Sequence, residues 1–253
     1  MLLSNHMTDS VSFGLTTFFF HEKHITGTPA YKVTIEDVDL SGPEPQTHGT
    51  YTVQARAVVN CAGLGSGRIA ALAGIDLEQA NYRLHPTRGM YFRVHKNLDQ
   101  FPKMLVYPLP VKGAVGAHTT PDLYGGMRLG PLEVWLKDER EVAKDVNNPA
   151  NRSYIGSQNV DMKVPPKLKQ TFVDFLQPFL PYLTPDQIEP DSAGIHPKLQ
   201  SEAEDVMRDW VIKHEADRRL PNFFNLVGIE SPGLTASPAL GEYVADMVQA
   251  EVK

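Results

Sequence analysis

Two glycine-bearing stretches hold the residue types best suited to ligand chemistry. The first is Phe223-Phe224-Asn225-Leu226-Val227-Gly228-Ile229-Glu230-Ser231-Pro232-Gly233-Leu234-Thr235. It starts apolar and β-prone, becomes small and Gly/Pro-rich, and runs into an apolar helical repeat. A buried strand, a loop of small side chains and a helix N-terminus together make a cradle for an anion or a ring edge. Backbone N–H groups and the positive end of the helix dipole point at whatever sits there. An ordinary strand–loop–helix connection has the same pattern, and composition alone does not choose between the two. The second stretch runs from Cys61 to Gly74 and reads as strand end, glycine turn, short helix and Gly stop. Its turn approaches G-x-G-x-x-G, but Arg68 stands in place of the third glycine. No acidic residue ends a second strand about 20 positions on, as ribose recognition would need. A secondary contact is better supported, because glycines let backbone approach a phosphate or nucleotide closely. Cys61 lies in the run Val58-Val59-Asn60-Cys61-Ala62-Gly63 and reads as a small buried residue rather than a nucleophile. As the only cysteine, it excludes an intramolecular disulfide and a Cys-rich metal site.

The elements that must position these bends follow from periodicity. Residues 11–21, 30–39 and 50–60 alternate enough to predict strands, the last ending in the apolar Ala57-Val58-Val59. The segment Ser41-Gly42-Pro43-Glu44-Pro45 is a turn between the second and third. From His85 to Leu136 the chain is rich in Pro, Gly and β-formers. Short strands are predicted at 90–94, 104–107, 114–119 and 127–136, the last broken at Gly130-Pro131. Pro165-Pro166 opens a helix to about Leu180, with Leu168, Phe172, Phe175, Leu176 and Phe179 on one face. Residues 188–196 and 207–213 read as strands returning to that sheet. Leu240, Tyr243, Val244, Met247 and Val248 recur at helical spacing, and Ser237-Pro238 suits the helix start.

Composition narrows the function classes. The chain has 253 residues, 42% hydrophobic and 21% charged, as in ordinary globular proteins. Its net charge of −6, without a basic run, argues against a nucleic-acid partner. No apolar stretch reaches the roughly 18 residues of a membrane helix. The first residues carry neither a secretory nor a mitochondrial signature, so an intracellular place is expected, cytoplasmic or mitochondrial. No metal site is expected.

Four segments, in order, resemble the FAD-dependent oxidoreductases of the D-amino-acid-oxidase superfamily, most closely the L-2-hydroxyglutarate dehydrogenase-like branch. They are Val58–Leu64, Pro86–Phe92, Gly116–Thr120 through Leu129-Gly130-Pro131, and Asn225–Ser237, with Ser192–Leu199 between the last two. The resemblance covers roughly residues 50 to 250. It implies an α+β fold: a partial FAD-binding, Rossmann-like domain with an inserted antiparallel-sheet substrate domain. The expected division is 1–80 and 215–253 for the FAD-binding remnant and 81–214 for the insert. By resemblance, Asn60, Ala62 and Gly63 would pack against the FAD diphosphate and ribose. Gly228, Ser231, Pro232, Gly233, Leu234 and Thr235 would lie along the ribityl chain and the pyrimidine edge, and Glu230 would be scaffold behind the flavin. His118 would take a hydroxyl proton while the α-hydrogen leaves as hydride, and Arg128 or Arg88 would hold a substrate carboxylate. Thr120 and His196 would also face the substrate. Taken without the resemblance, His118 on its apolar strand is also a hydrogen-bonded core histidine, Arg128 a solvated strand residue, and Arg88 a turn fastener.

Two departures qualify what the resemblance implies. Nothing in residues 1–50 supplies the family's opening strand, G-x-G-x-x-G turn and acidic residue. A second chain supplying that FAD-binding unit is therefore an expected possibility, as is an inactive relative serving as a partner subunit or binding module. His196 also stands where the family has Arg. Imidazole cannot make the same two-pronged pair with a carboxylate. The loss of a charge-assisted contact would cost about 1.5–3 kcal/mol, more than tenfold in affinity.

Overall fold

The computed structural model describes residues 17–25, 28–39, 46–109, 116–136 and 163–252. The predicted strand at 11–21 therefore lies partly outside the described residues, as do the turn at 41–45 and the start of the one at 114–119. The chain opens with an antiparallel meander of β1 (Thr17–Ile25), β2 (Thr28–Asp39) and β3 (Gln46–Ala55). The third predicted strand divides here: β4 (Val58–Asn60) leaves the meander and joins a different sheet. In that sheet β10 (Phe223–Val227) is central, parallel to β4 and antiparallel to β9 (Val211–His214). The segment near 207–213, expected to return to the inserted sheet, thus pairs with β10 instead. Tyr31 of β2 seals the meander to this sheet. Its ring meets Phe223 edge-on at 5.9 Å and its hydroxyl donates to the Pro221 carbonyl at 2.7 Å.

Between β4 and β9 lies the second unit, a four-stranded antiparallel sheet in the order β6–β7–β5–β8. Its strands are β5 (Thr87–Val94), β6 (His118–Pro121), β7 (Met127–Trp135) and β8 (Ile188–His196). The predicted break at Gly130-Pro131 does not interrupt β7. The pairing with β5 shifts register there, from Met90 opposite Leu132 to Phe92 opposite Leu129, and the strand continues. Of the predicted strand at 104–107 only Val106 pairs, forming a bridge to Thr119.

One face of this sheet is apolar. Met90, Phe92 and Val94 of β5 with Met127 and Leu129 of β7 pack against helix α3 (Lys169–Leu176), where Phe92 and Phe172 lie 4.4 Å apart. The predicted helix stripe is the one buried: Phe172, Val173 and Leu176 are fully enclosed, with Leu168, Phe175 and Phe179 at the margin. Each such enclosed side chain contributes about 1.5–3 kcal/mol. Helices α1 (Ser66–Leu72) and α2 (Leu77–Ala80) follow β4 and cap the smaller sheet, where Ala70, Ile75, Tyr82, Leu199 and Val227 form a second core.

The last helix, α4, spans Gly233–Glu251 and starts four residues before the expected Ser237-Pro238. Pro238 therefore sits inside the helix. It has no N–H for the Leu234 carbonyl, which accepts the Ser237 hydroxyl at 2.8 Å instead. Of the predicted apolar stripe only Val244 is buried, and Tyr243 is 56% exposed. No helix among the described residues is long and apolar enough to cross a membrane.

Candidate functional site

The parallel pairing of β4 with β10 decides where the two glycine bends lie. Asn60 is in register with Asn225, so both strands run out at the same edge of the sheet and both bends begin there. The pair is bonded by side chains as well: Asn60 Nδ2 donates to Asn225 Oδ1 and to the Ser66 carbonyl, each at 2.8 Å. Asn60 Oδ1 in turn accepts from the Ala62 N–H at 3.3 Å, which folds the chain into the first bend. There Gly63 takes φ +57° with open space where a side chain would stand. In the second bend Gly228 has φ +74°, and a Cβ there would collide with Leu199. Only glycine serves that position. The N-terminus of α4 has no side-chain cap and no acidic residue in its first turn.

Beneath the bends lies a buried polar network that sequence reading missed. Glu215 is fully enclosed. It accepts hydrogen bonds from Tyr82 Oη at 2.7 Å, Asn225 Nδ2 at 2.8 Å and Arg218 Nη1 at 2.5 Å. Burial, then the Glu215 carboxylate, drives the Tyr82 phenol far above its ordinary range. A buried carboxylate is tolerable only when its lone pairs are matched in this way. Through Asn225 the network reaches Asn60 and so holds the first bend.

The face of the four-stranded sheet turned away from its apolar core is floored by glycines. Gly89 of β5 is flanked by Gly194 of β8 and Glu133 of β7. One step along, Thr87 is flanked by His196 and Trp135. A Cβ on Gly194 would meet nothing within 4 Å. At the end of this face four charged or titratable groups converge. Lys198 Nζ lies 2.7 Å from Glu230 Oε2 and 3.5 Å from Glu133 Oε2. His196 Nδ1 lies 3.5 Å from Glu230 Oε2 and 3.8 Å from Glu133 Oε1. Thr87 Oγ1 donates to Glu133 Oε2 at 3.2 Å. Lys198 is only 4% exposed, so its ammonium and the two carboxylates neutralise one another largely out of water. Burial pushes the Glu230 carboxyl up, but hydrogen bonds from His196 and Lys198 outweigh it and hold Glu230 below its ordinary range. The cluster joins the glycine-floored sheet to the loop that leads into α4. Among the described residues no group of three or more His, Cys, Asp or Glu is arranged to hold a metal ion.

The substrate-side residues named from the sequence divide by face. His118 pairs with Gly130 and Thr120 with Arg128, and Arg128 with Arg93, on the face that carries Gly89 and His196. His118 is nearly buried, stacks on Tyr107 at 4.2 Å and turns Nδ1 to the Gly116 carbonyl at 3.2 Å. Burial lowers its pKa, and the Gly116 carbonyl offsets this only in part. The Thr120 hydroxyl is buried without a hydrogen-bond partner among the described residues. Arg128 Nε donates to Asp191 Oδ2 at 2.7 Å. Arg128 and Glu133 stand five positions apart on β7, roughly 15 Å at strand rise. Arg128 and His196 therefore lie toward opposite ends of the face. Arg88 shares the parity of Met90 and Phe92, and so belongs to the other face of β5. Cys61 is exposed rather than buried as the sequence suggested, because it follows an edge strand into the bend.

Residues 23–247 match the family described as FAD dependent oxidoreductase, DAO. The chain belongs to that family. An L-2-hydroxyglutarate dehydrogenase from Arabidopsis thaliana, mitochondrial, is 35% identical over 190 residues, 75% of this chain and 37% of that protein. The human protein of the same name is 29% identical over 213 residues, 78% of this chain and 45% of that protein. A glycerol 3-phosphate dehydrogenase from Caloramator mitchellensis is 25% identical over 198 residues, 78% of this chain and 35% of that protein. The fold is also that of dithionite-reduced L-α-glycerophosphate oxidase from Mycoplasma pneumoniae with FAD bound. That structure matches with a TM-score of 0.58 at 18% identity, over 92% of this chain and 50% of the other. This DAO-family chain thus spans half or less of the length of these relatives.

Glu133, Lys198, Glu215, Tyr82 and Thr87 were not singled out from the DAO-like motifs. A signal was present for two of them. Glu133 is the acidic residue of the otherwise mostly apolar β7, and Lys198 follows Pro197 directly after β8. Nothing local shows that the two meet.

Proposed function

We propose that this chain forms the substrate-facing and C-terminal flavin-contacting part of an FAD-dependent oxidoreductase acting on a 2-hydroxy acid, with 2-hydroxyglutarate the first candidate. The observation that carries the reading is the in-register parallel pairing of β4 and β10, which brings both glycine bends to one sheet edge. The residues there suit FAD. Gly63 leaves room for close approach, and among the described residues Ser66 Oγ is buried with no partner and the α4 N-terminus has no side-chain cap. Asn60, Ala62 and Gly63 would hold the diphosphate side. Gly228 and Ser231 to Thr235 would hold the ring side, where the helix end favours negative charge. When bound, FAD supplies the acceptor for the hydride that leaves the hydroxyl-bearing carbon.

The chain's own residues bind and orient the substrate. The open space over Gly194, beside Gly89 where Pro131 and His196 stand, would give the substrate its floor. The terminal nitrogens of Arg128, without a partner among the described residues, would take a substrate carboxylate in a two-pronged pair. His118, kept neutral by burial, and the unpartnered Thr120 hydroxyl offer hydrogen bonds on the same face. Arg88, on the other face, has no part in this reading. A second substrate, glycerol 3-phosphate, is suggested by the similarity to the Caloramator glycerol 3-phosphate dehydrogenase.

The test is spectroscopic. Purified protein incubated with FAD is expected to retain the visible flavin band through gel filtration. Under nitrogen, L-2-hydroxyglutarate should bleach that band faster than glycerol 3-phosphate does. Bleaching by glycerol 3-phosphate alone would move the assignment to the phosphate ester. Uptake of FAD only with an added polypeptide bearing a G-x-G-x-x-G unit would favour a split enzyme. A chain that stays colourless in both settings refutes the reading and leaves a binding module.

A further inference from the structure

We propose that His196 is the proton acceptor of the site, oriented by Glu230 and Glu133 so that its Nε2 faces the glycine-floored strip. This rests on the oxidoreductase reading above and adds to it a residue for the proton. The geometry is that of an imidazole set by carboxylates. Nδ1 lies 3.5 Å from Glu230 Oε2 and 3.8 Å from Glu133 Oε1. Carboxylates accept and do not donate, so the Nδ1 side carries the proton and Nε2 keeps its lone pair. Nε2 lies 3.4 Å from where a Cβ on Gly89 would be, and it has no hydrogen-bond partner among the described residues. Over Gly89 the Pro131 ring and Nε2 share the space that a Cβ would need, with Pro131 Cβ 3.0 Å from that point, and the open space on this face lies over Gly194.

His118 is the other imidazole on this face, and the comparison favours His196. His118 is nearly buried, stacked on Tyr107, and bonded only to a backbone carbonyl. Protonating it would put an imidazolium in an apolar setting with no carboxylate beside it among the described residues. Protonating His196 places the new charge against Glu230 and Glu133, which Lys198 alone leaves with one negative charge in excess. The groups facing His196 are Glu133 from β7, Glu230 from the loop before α4, Lys198 beyond β8 and Thr87 from β5. In the step, the substrate O–H bond breaks and its proton goes to Nε2. The C–H bond breaks with its electron pair going to the flavin as hydride, and the C–O bond becomes a carbonyl. The same carboxylates repel a substrate carboxylate, so the acid group next to the hydroxyl turns away from the cluster, and only a distal carboxylate of a dicarboxylic substrate would extend toward Arg128.

Two measurements decide it, and the first needs neither cofactor nor turnover. With 15N-labelled histidine in the full chain, the ring shifts of His196, assigned by their loss in His196→Gln, are expected to show Nδ1–H with a bare Nε2. Glu230→Gln should move the same signal toward a mixture of tautomers, which also assigns it should His196→Gln fail to fold. An Nε2–H tautomer, or a signal indifferent to Glu230→Gln, overturns the proposal. The second measurement is kcat/KM against pH in FAD-loaded protein. His196→Gln should lower it about 10²–10⁴-fold and abolish the acid limb, while His118→Gln should keep that limb. An acid limb that survives in His196→Gln refutes the assignment. Failure to load FAD bears on the oxidoreductase reading alone, and the tautomer measurement still decides His196.

Discussion

Replacing Lys198 by Met tests the charge cluster most directly, because the two side chains have similar bulk and only the ammonium is lost. Lys198 Nζ sits 2.7 Å from Glu230 and 3.5 Å from Glu133, and the residue is 4% exposed. Removing one member of a buried ion pair typically costs about 3–5 kcal/mol, since the partner charge is left without compensation. Here two carboxylates lose their cation at once. For a chain of this length, 1 kcal/mol moves the melting temperature about 2–4 °C, so Lys198→Met should lower it by roughly 6–20 °C at neutral pH. The loss should itself depend on pH. Glu230 is held below its ordinary range, with burial opposing and the hydrogen bonds from His196 and Lys198 prevailing. A depressed carboxyl contributes stability above its unfolded pKa, lost as pH falls through the folded one. The gap between wild type and Lys198→Met should therefore be widest near neutrality and close as pH falls below the ordinary carboxylate value, about 4.3, and through the lower folded one. Thermal melts of both proteins across that range measure it. A double variant, Lys198→Met with Glu230→Gln, should recover part of the loss, because the orphaned charge goes with its partner. A fall of less than about 1 kcal/mol, or a gap that does not change with pH, would refute the reasoning and reduce the cluster to a solvated pair.

Three further outcomes follow from the same geometry. Tyr82→Phe removes the phenol that donates to buried Glu215, and should cost about 1.5–3 kcal/mol, read as a shift in the urea midpoint with unchanged slope. Gly228→Ala meets both a positive φ and the Leu199 side chain, so it should cost more than the ordinary Gly-to-Ala gain of about 0.4–1 kcal/mol can offset, and should weaken FAD retention on gel filtration. Arg128→Lys keeps the charge but not the planar fork. It should raise KM for a 2-hydroxy acid about tenfold while leaving FAD uptake intact, and an unchanged KM would remove Arg128 from the carboxylate site.

Much of the architecture was legible locally. Gly63, Gly228 and Gly233 announced the bends, because close approach and positive φ are properties a single residue type supplies. The Phe172–Leu176 stripe announced the buried face of α3, because helical spacing alone sorts side chains to one side. The β-rich insert between the bends was equally plain from its alternating runs. The exposure of Cys61 and of most of the α4 stripe was not, since an apolar pattern says which face would be buried and not whether anything described covers it.

Sequence by itself therefore determined the kinds of element, the chemistry of the bends and the family motifs that bracket the inserted sheet. Tertiary structure alone decided that Asn60 faces Asn225 across 165 residues, that β9 joins β10, and that Arg88 and Arg128 fall on opposite faces. It alone brought Glu133, His196, Lys198 and Glu230 within ion-pair reach. The physical reason is strand register. Side-chain direction alternates at every strand residue, so a shift of one position would turn Glu133 or His196 to the other face, and no local spacing records which register two distant strands adopt.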